Sequence, residues 1–304
     1  MRMLDPNFVL DDEGRDRLIT RFGAGVDAWC TVLPELVEQY CLRWHLELDT
    51  VMAGSTSRVF IGRQHGDRGV VLKLTPDLTI ANEEAIALRA WAATPHAVDL
   101  LDADLETGAL LLENIEPGIK ASDQPEPPPV REIAELLAGL REAAGYDGGH
   151  LPTLAQGMES MFSRIGGLLE NPRVSPLVSP QVLADGHRKA RELASDGPAG
   201  LLHGDLHLSN ILSAGPARGL VAIDPRPGFG DLTFDAIDWT LDRAASTDEV
   251  RERIGQLCGL VPDLNPGRLW QWCQATAAAL AVLRLRHRSH DGTTQLLLRL
   301  AASI

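Results

Sequence analysis

The stretch His203-Gly-Asp-Leu-His-Leu-Ser-Asn210, followed by Val221-Ala-Ile-Asp224-Pro225, decides how the chain is read. Taken singly, Asp205 and Asn210 are residues that mark turns everywhere, and the two histidines would fit core packing or metal binding. Taken in order, the set has a chemistry. A loop aspartate, Asp205, can accept or orient the proton of a hydroxyl. An asparagine five residues on, Asn210, offers a neutral oxygen, and Asp224 at the end of a strand offers the anionic oxygen that a hard cation such as magnesium prefers. The intervening residues read as a short strand, a Ser213-Ala-Gly-Pro216 turn and a second strand, so the chain can fold back and bring the three together. Phosphoryl transfer asks for little more: an acceptor held in line and metal ions that neutralise the phosphates.

Upstream of this stretch the patterning is strand-like. Residues 15–46 carry apolar side chains at helical spacing. Then come Leu48–Ala53, a Gly54-Ser-Thr-Ser57 loop, Val59–Gly62, a His65–Gly69 turn and Val70-Val-Leu-Lys-Leu74, a succession of strands and turns. A helix is expected over 80–93, with strands at Ala97–Leu101 and Ala109–Leu112. Asp123–Pro129 holds four prolines and reads as an extended connector. Beyond it, helices are expected at 130–144, 155–170, 179–195, 233–243, 248–259, 267–287 and 292–303, around the turn-rich 200–224. The composition therefore changes near residues 113–118, dividing the chain into 1–115 and 116–304.

Bulk properties narrow the partners. With 44% apolar and 23% charged residues, the 304-residue chain has the make-up of a folded globular protein. Its net charge of −14 disfavours a nucleic-acid partner and favours small cations. Cys30, Cys41, Cys258 and Cys273 have no metal-ligand spacing and read as reduced apolar residues. No apolar run is long enough to span a membrane, and no signal segment opens the chain. The expectation is a cytoplasmic protein, monomeric or dimeric, with no membrane partner.

The chain resembles the aminoglycoside phosphotransferase-type kinases, a small-molecule branch of the protein-kinase-like fold. Within them, His203–Asp238 is similar to the aminoglycoside/hydroxyurea phosphotransferases typified by streptomycin 6-phosphotransferase. Ile223-Asp-Pro-Arg226, Gly230-Asp231 and Phe234-Asp235 carry that similarity, and the resemblance spans roughly 50–245. It implies an α+β, bilobal kinase-like fold. Residues 1–115 would form a nucleotide-binding lobe, with a helical N-terminal extension plus antiparallel sheet and helix. Residues 116–304 would form a helical catalytic and substrate lobe. It further implies ATP with Mg2+, and Lys73 on the α- and β-phosphates; Lys73 is one of only three lysines against 25 arginines. Glu84 would pair with Lys73, although the adjacent Glu83 could replace it after a small helix rotation. Gly54, Ser55, Thr56 and Ser57 would cover the phosphates, and the backbone around Glu113 and Ile115 would read the base. Asp235 would brace the catalytic loop.

Departures from protein kinases are equally informative. Gly204 stands where those enzymes carry Arg, and Pro225-Arg226 follows Asp224. Too few residues separate Asp224 from the next helix for a long phosphorylated activation segment. A small-molecule hydroxyl acceptor is therefore expected. An aminoglycoside-type cation would need carboxylates, for which Asp231, Asp238 and Asp242 are candidates, although each also reads as a cap or a solvated helix face. Hydroxyurea, an amino sugar or a choline-like alcohol are alternative acceptors, and a catalytically silent nucleotide-binding protein is an alternative of another class.

Overall fold

The structure is a computed structural model describing residues 6–54, 56–142, 146, 148–287 and 290–304. By its contacts the chain falls into two compact units, Met1–Ala92 with Val98–Gly118, and Ala93–Ala97 with Ile119–Ile304. The chain thus enters the second unit briefly at 93–97 before the main transition at 118/119.

The first unit begins with helices α1 (Pro6–Val9), α2 (Asp12–Phe22) and α3 (Asp27–Arg43). Strands β1 (Leu46–Ala53), β2 (Arg58–Gln64) and β3 (Arg68–Leu74) follow, then α4 (Leu78–Ala90), β4 (Leu100–Asp104) and β5 (Ala109–Glu113). The five strands make one antiparallel sheet in the order β1-β2-β3-β5-β4. Side chains alternate across a strand. On one face Phe60, Val70, Leu72 and Leu74 pack with Leu33, Val37 and Tyr40 of α3 in a single core cluster. Fully burying such a side chain contributes about 1.5–3 kcal/mol. Lys73, between two of those leucines, therefore projects to the opposite face. That is the face α4 covers, since Glu84 from its middle reaches Lys73. Asp77 starts α4 at the right place by accepting from the N–H groups of Thr79 and Ile80.

The second unit is mainly helical: α5 (Val130–Arg141), α6 (Leu154–Gly166), α7 (Pro180–Ala194), α8 (Ile237–Leu241), α9 (Thr247–Cys258), α10 (Pro266–Arg286) and α11 (Gly292–Ala301). Side-chain caps set several starts: Thr153 with Gln156 in a capping box, Ser179 before Pro180, and Asn265 before Pro266. Short strands carry the turn-rich region. β6 (Ile119–Lys120), β8 (Ile211–Ser213) and β9 (Leu220–Ala222) form one sheet, and β7 (Ala199–Leu202) pairs with β10 (Gly228–Asp231).

Two expectations shift. The strand placed at 97–101 begins instead at Leu100, because residues 93–97 are drawn to β9. Ala222 N–H donates to the His96 carbonyl at 2.8 Å, and Arg218 donates to the carbonyls of Pro95 (2.7 Å) and Ala97 (2.9 Å). The helix expected over 233–243 is a 3-10 turn, Phe234–Ala236, followed by the single short helix α8. No helix among the described residues is long and apolar enough to cross a membrane.

Candidate active site

In the first unit, Lys73 and Glu84 form a sealed ion pair. The Lys73 Nζ donates to both Glu84 carboxylate oxygens, at 2.8 and 2.6 Å, and the two residues are only 4% and 1% exposed. A buried pair of this kind is held in place by the cost of leaving either charge alone. Of the loop after β1, Gly54, Thr56 and Ser57 are described, and Ser55 lies outside the described residues. A Cβ on Gly54 would come within 2.4 Å of the Ser57 carbonyl oxygen, so the tight approach demands glycine. Thr75 Oγ1 donates to the Thr56 carbonyl at 2.8 Å, and Thr56 and Ser57 are buried. At the end of β5, Glu113 donates its N–H to the Asp99 carbonyl and accepts from Asp99 N–H through Oε1, so its main-chain donor is committed. Ile115 is buried just beyond it.

In the second unit, the loop after β7 and the residues after β9 are stitched together by three hydrogen bonds. Ile223 N–H donates to the Asn210 carbonyl (2.9 Å), Arg226 N–H donates to the His203 carbonyl (2.9 Å), and His203 Nε2 bonds the Ile223 carbonyl (3.0 Å). This stitching brings Asp224 beside the loop that carries Asp205 and Asn210. Asp224 has φ +55, in the left-handed region that a non-glycine residue enters at a cost. Asn210 donates Nδ2 to the Asp205 carbonyl at 2.9 Å, which turns the amide oxygen away from that contact. The Asp205 carboxylate itself is 43% exposed, and its Oδ2 lies 3.6 Å from His207 Nε2. Ser209 Oγ is 2.7 Å from His207 Nδ1 and orients the ring.

The brace beneath the loop is Asp235. Its Oδ2 accepts from His203 N–H (2.7 Å) and its Oδ1 from Gly204 N–H (2.9 Å), the brace that the family resemblance implied. Gly204 has φ +76, and a Cβ there would lie 2.1 Å from the Arg226 carbonyl oxygen. At this position the backbone leaves no room for a side chain.

Electrostatics follow burial. His203, 1% exposed, has its pKa lowered to about 4 by burial, against the pull of Asp205, the Ile223 carbonyl and Asp224. It is therefore neutral near pH 7, with Nε2–H donating and Nδ1 accepting from Asp205 N–H at 3.4 Å. The nearby Asp205 carboxylate, 3.6 Å away, raises His207. Burial raises Asp235 to about 6, despite its two backbone N–H donors. Burial also raises Asp238 to about 6; nearby Asp205 and Asp242 add to the rise and His207 opposes it. Asp238 is half-buried on α8, and no hydrogen bond or ion pair reaches its carboxylate among the described residues.

Asp231 is a correction. Its carboxylate, expected on a cationic acceptor, is spent inside the unit: Arg268 Nε lies 2.6 Å and Trp272 Nε1 2.5 Å from Oδ2, while Thr233 N–H donates to Oδ1. The residue is 2% exposed and fastens α10 to the end of β10. Asp242 is likewise paired, with Arg243 at 2.6 Å. Sequence reasoning noted Gly204 only as a departure from protein kinases and left His203 and His207 between core packing and metal binding, without assigning them their parts in the loop. The signal for them was present in the His-Gly-Asp-Leu-His run, whose histidines flank the aspartate two residues to either side.

This architecture is that of the kinase-like phosphotransferases. It aligns with the choline kinase LicA of Streptococcus pneumoniae at a TM-score of 0.61 and 14% identity, over 89% of this chain and 99% of that one. It aligns with the aminoglycoside phosphotransferase APH(4)-Ia at 0.56 and 18%, over 88% and 98%. Residues 43–288 match the family described as aminoglycoside/hydroxyurea antibiotic resistance kinase, to which the chain belongs. The hydroxyurea phosphotransferase of Kitasatospora aureofaciens is 32% identical over 78% of this chain and 69% of its own length. The streptomycin 6-kinase of Streptomyces glaucescens is 33% identical over 76% and 75%.

Proposed function

We propose that this phosphotransferase moves the γ-phosphoryl group of ATP to a hydroxyl of a cationic, aminoglycoside-type acceptor, with Asp205 as the residue that takes or orients the acceptor proton. The observation that carries the reading is the stitched loop, in which Asp205, Asn210 and Asp224 share one small region while their backbone is locked by His203 and Asp235. Membership of a family of antibiotic resistance kinases supports the same chemistry. ATP as donor is supported by the related APH(4)-Ia, whose ternary complexes hold AMP-PNP or ADP with hygromycin B.

The residues fit a magnesium ion. Asp224 supplies a carboxylate, and the Asn210 amide, held through Nδ2 by Asp205, has its oxygen left to coordinate. Among the described residues no cluster of three His, Cys, Asp or Glu forms a metal cage. That suits an ion that takes one or two protein ligands and completes its shell with water and phosphate oxygens. When bound, such an ion would neutralise phosphate charge. Asp205, half-exposed, stands ready for a hydroxyl, and His203 fixes the backbone on which it is carried. In the first unit, Lys73, oriented by Glu84, would contact the α- and β-phosphates. Gly54–Ser57 would cover them, and the Glu113 carbonyl with the Ile115 N–H would read the base.

Asp238 favours a cationic acceptor over neutral hydroxyurea. Among the described residues no hydrogen bond or ion pair reaches its carboxylate, which lies in electrostatic reach of Asp205 and is kept from full hydration. The test is an acceptor panel of streptomycin, hydroxyurea, choline and glucosamine with Mg·ATP, read by mass detection of the phosphorylated product. Phosphorylated streptomycin is the expected product. Turnover of hydroxyurea alone would overturn the cationic assignment, and ATP consumption with no acceptor phosphorylated would overturn the kinase reading.

A further inference from the structure

Arg58 is the residue immediately after the Gly54–Ser57 loop and the first of β2. A guanidinium at a strand start would ordinarily lie in water, yet this one is 3% exposed. Its Nε donates to the Val9 carbonyl at 3.0 Å. One of its terminal nitrogens lies 3.7 Å from Asp11 Oδ1, the same oxygen that caps α2 by accepting from Gly14 N–H at 3.0 Å. Gly14 is shaped to this contact, since a Cβ there would lie 2.6 Å from the guanidinium. Val9 is fully buried in the sheet core, and Phe8 packs on Phe60, two residues along β2 from Arg58, with ring centroids 6.2 Å apart. A single side chain thus ties the base of the loop to the end of α1, the cap of α2 and that helix's first turn.

These N-terminal helices precede residue 43, where the family match begins. On the loop's other side, the Thr75 hydroxyl holds the Thr56 carbonyl at 2.8 Å. The loop is therefore fastened on one side by the sheet and on the other by a segment lying outside the family match.

We propose that Arg58 is a positioning residue for the phosphate-covering loop, and that nucleotide binding is coupled through it to docking of residues 6–22. The proposal rests on the reading of Gly54–Ser57 as that loop. Removing the anchor leaves the Val9 carbonyl and Asp11 without their cation, so the loop base loses its fixed reference and the nucleotide must order it on binding. Coupling is reciprocal: if docked helices favour the nucleotide, the nucleotide favours docked helices.

The test combines Arg58→Met, Asp11→Asn and the unaltered protein. The dissociation constant of AMP-PNP with magnesium is measured for each, together with KM for the phosphorylatable acceptor and amide exchange with and without nucleotide. In both variants the nucleotide constant is expected to rise roughly fivefold or more, the low end of couplings between sites, with the acceptor KM unchanged. In the unaltered protein, nucleotide is expected to slow exchange both at the amides of Gly54, Thr56 and Ser57 and within 6–22, and the second effect is expected to vanish in Arg58→Met. Should Arg58→Met not fold, Asp11→Asn and the exchange of the unaltered protein decide the matter. A variant with a lower melting temperature but an unchanged nucleotide constant would make Arg58 merely structural and overturn the proposal. So would protection of 54–57 with no response in 6–22. Nucleotide binding without protection at 54–57 would instead overturn the loop assignment, and absence of nucleotide binding would overturn the kinase reading itself.

Discussion

The two charged constellations of this chain are built on opposite plans. In the first unit, Lys73 and Glu84 neutralise each other out of contact with water, 2.6 Å apart. In the second, Asp205 and Asp238 lie within electrostatic reach of each other, and the loop that carries Asp205 is held by the Asp235 carboxylate on two backbone N–H groups, by the Asn210 amide and by the uncharged His203 imidazole. The first plan fixes one amine in place. The second holds a partly exposed carboxylate, Asp205, on a backbone that its neighbours lock. Loss of the Glu84 carboxylate should therefore act strongly on stability, and substitutions at Asp205 or Asp238 mainly on turnover and ligands.

The largest break with this pattern would come at Asp205. Asp205→Ala should lower turnover about a thousandfold or more, within the range of general acid–base contributions, while calorimetry finds nucleotide affinity nearly unchanged. Near-normal turnover would remove the residue from the chemistry. Glu84→Ala removes the buried carboxylate that pairs with the Lys73 ammonium and should cost about 3–5 kcal/mol of folding free energy in urea unfolding. A variant as stable as the parent would mean that the pair is not sealed.

Asp238→Asn sharpens the contrast. It should raise KM for a cationic acceptor about tenfold, the scale of one charge-assisted hydrogen bond, and leave hydroxyurea unaffected. Burial holds the Asp238 pKa near 6, above its unfolded value, so the ionised form costs stability as pH rises through that range. The amide should consequently be no less stable than the parent at pH 8 in thermal unfolding, whereas a loss there would point to a structural bond.

The smallest effect concerns His203. Its folded pKa, about 4, lies below the unfolded value of 6.5. As pH falls from 6.5 towards 4, the unfolded chain takes a proton that the folded chain refuses, and this contribution to stability is lost. Asp235 and Asp238, both raised to about 6, act in the opposite sense as pH falls below that value. The net slope should be shallow. Nitrogen-15 spectra should show a neutral Nε2–H ring at pH 6, and a charged ring there would unseat His203 as the wedge between loop and strand.

Much of this was legible because it is local. Helix starts follow from Thr153, Ser179 and Asn265, and the strand alternation of 70–74 already separates Lys73 from its leucine neighbours. The order Asp205, Asn210, Asp224 carried the candidate chemistry for the same reason. What escaped were long-range commitments. Asp231 looked available until Arg268 and Trp272, one turn apart on α10, closed on it. Residues 97–99 read as strand until 93–97 was claimed by β9. Spacing tells which face a residue occupies, but not which distant partner reaches that face first.

The brief excursion of residues 93–97 into the second unit constrains any attempt to divide the gene. A cut at 115/116 would strip from β9 the strip of chain that accepts its Ala222 N–H and its Arg218 guanidinium, two and six residues before Asp224. The second unit is thus discontinuous along the chain, so a support of β9 is synthesised more than a hundred residues ahead of it, and a fragment beginning after that point would have to borrow it in trans.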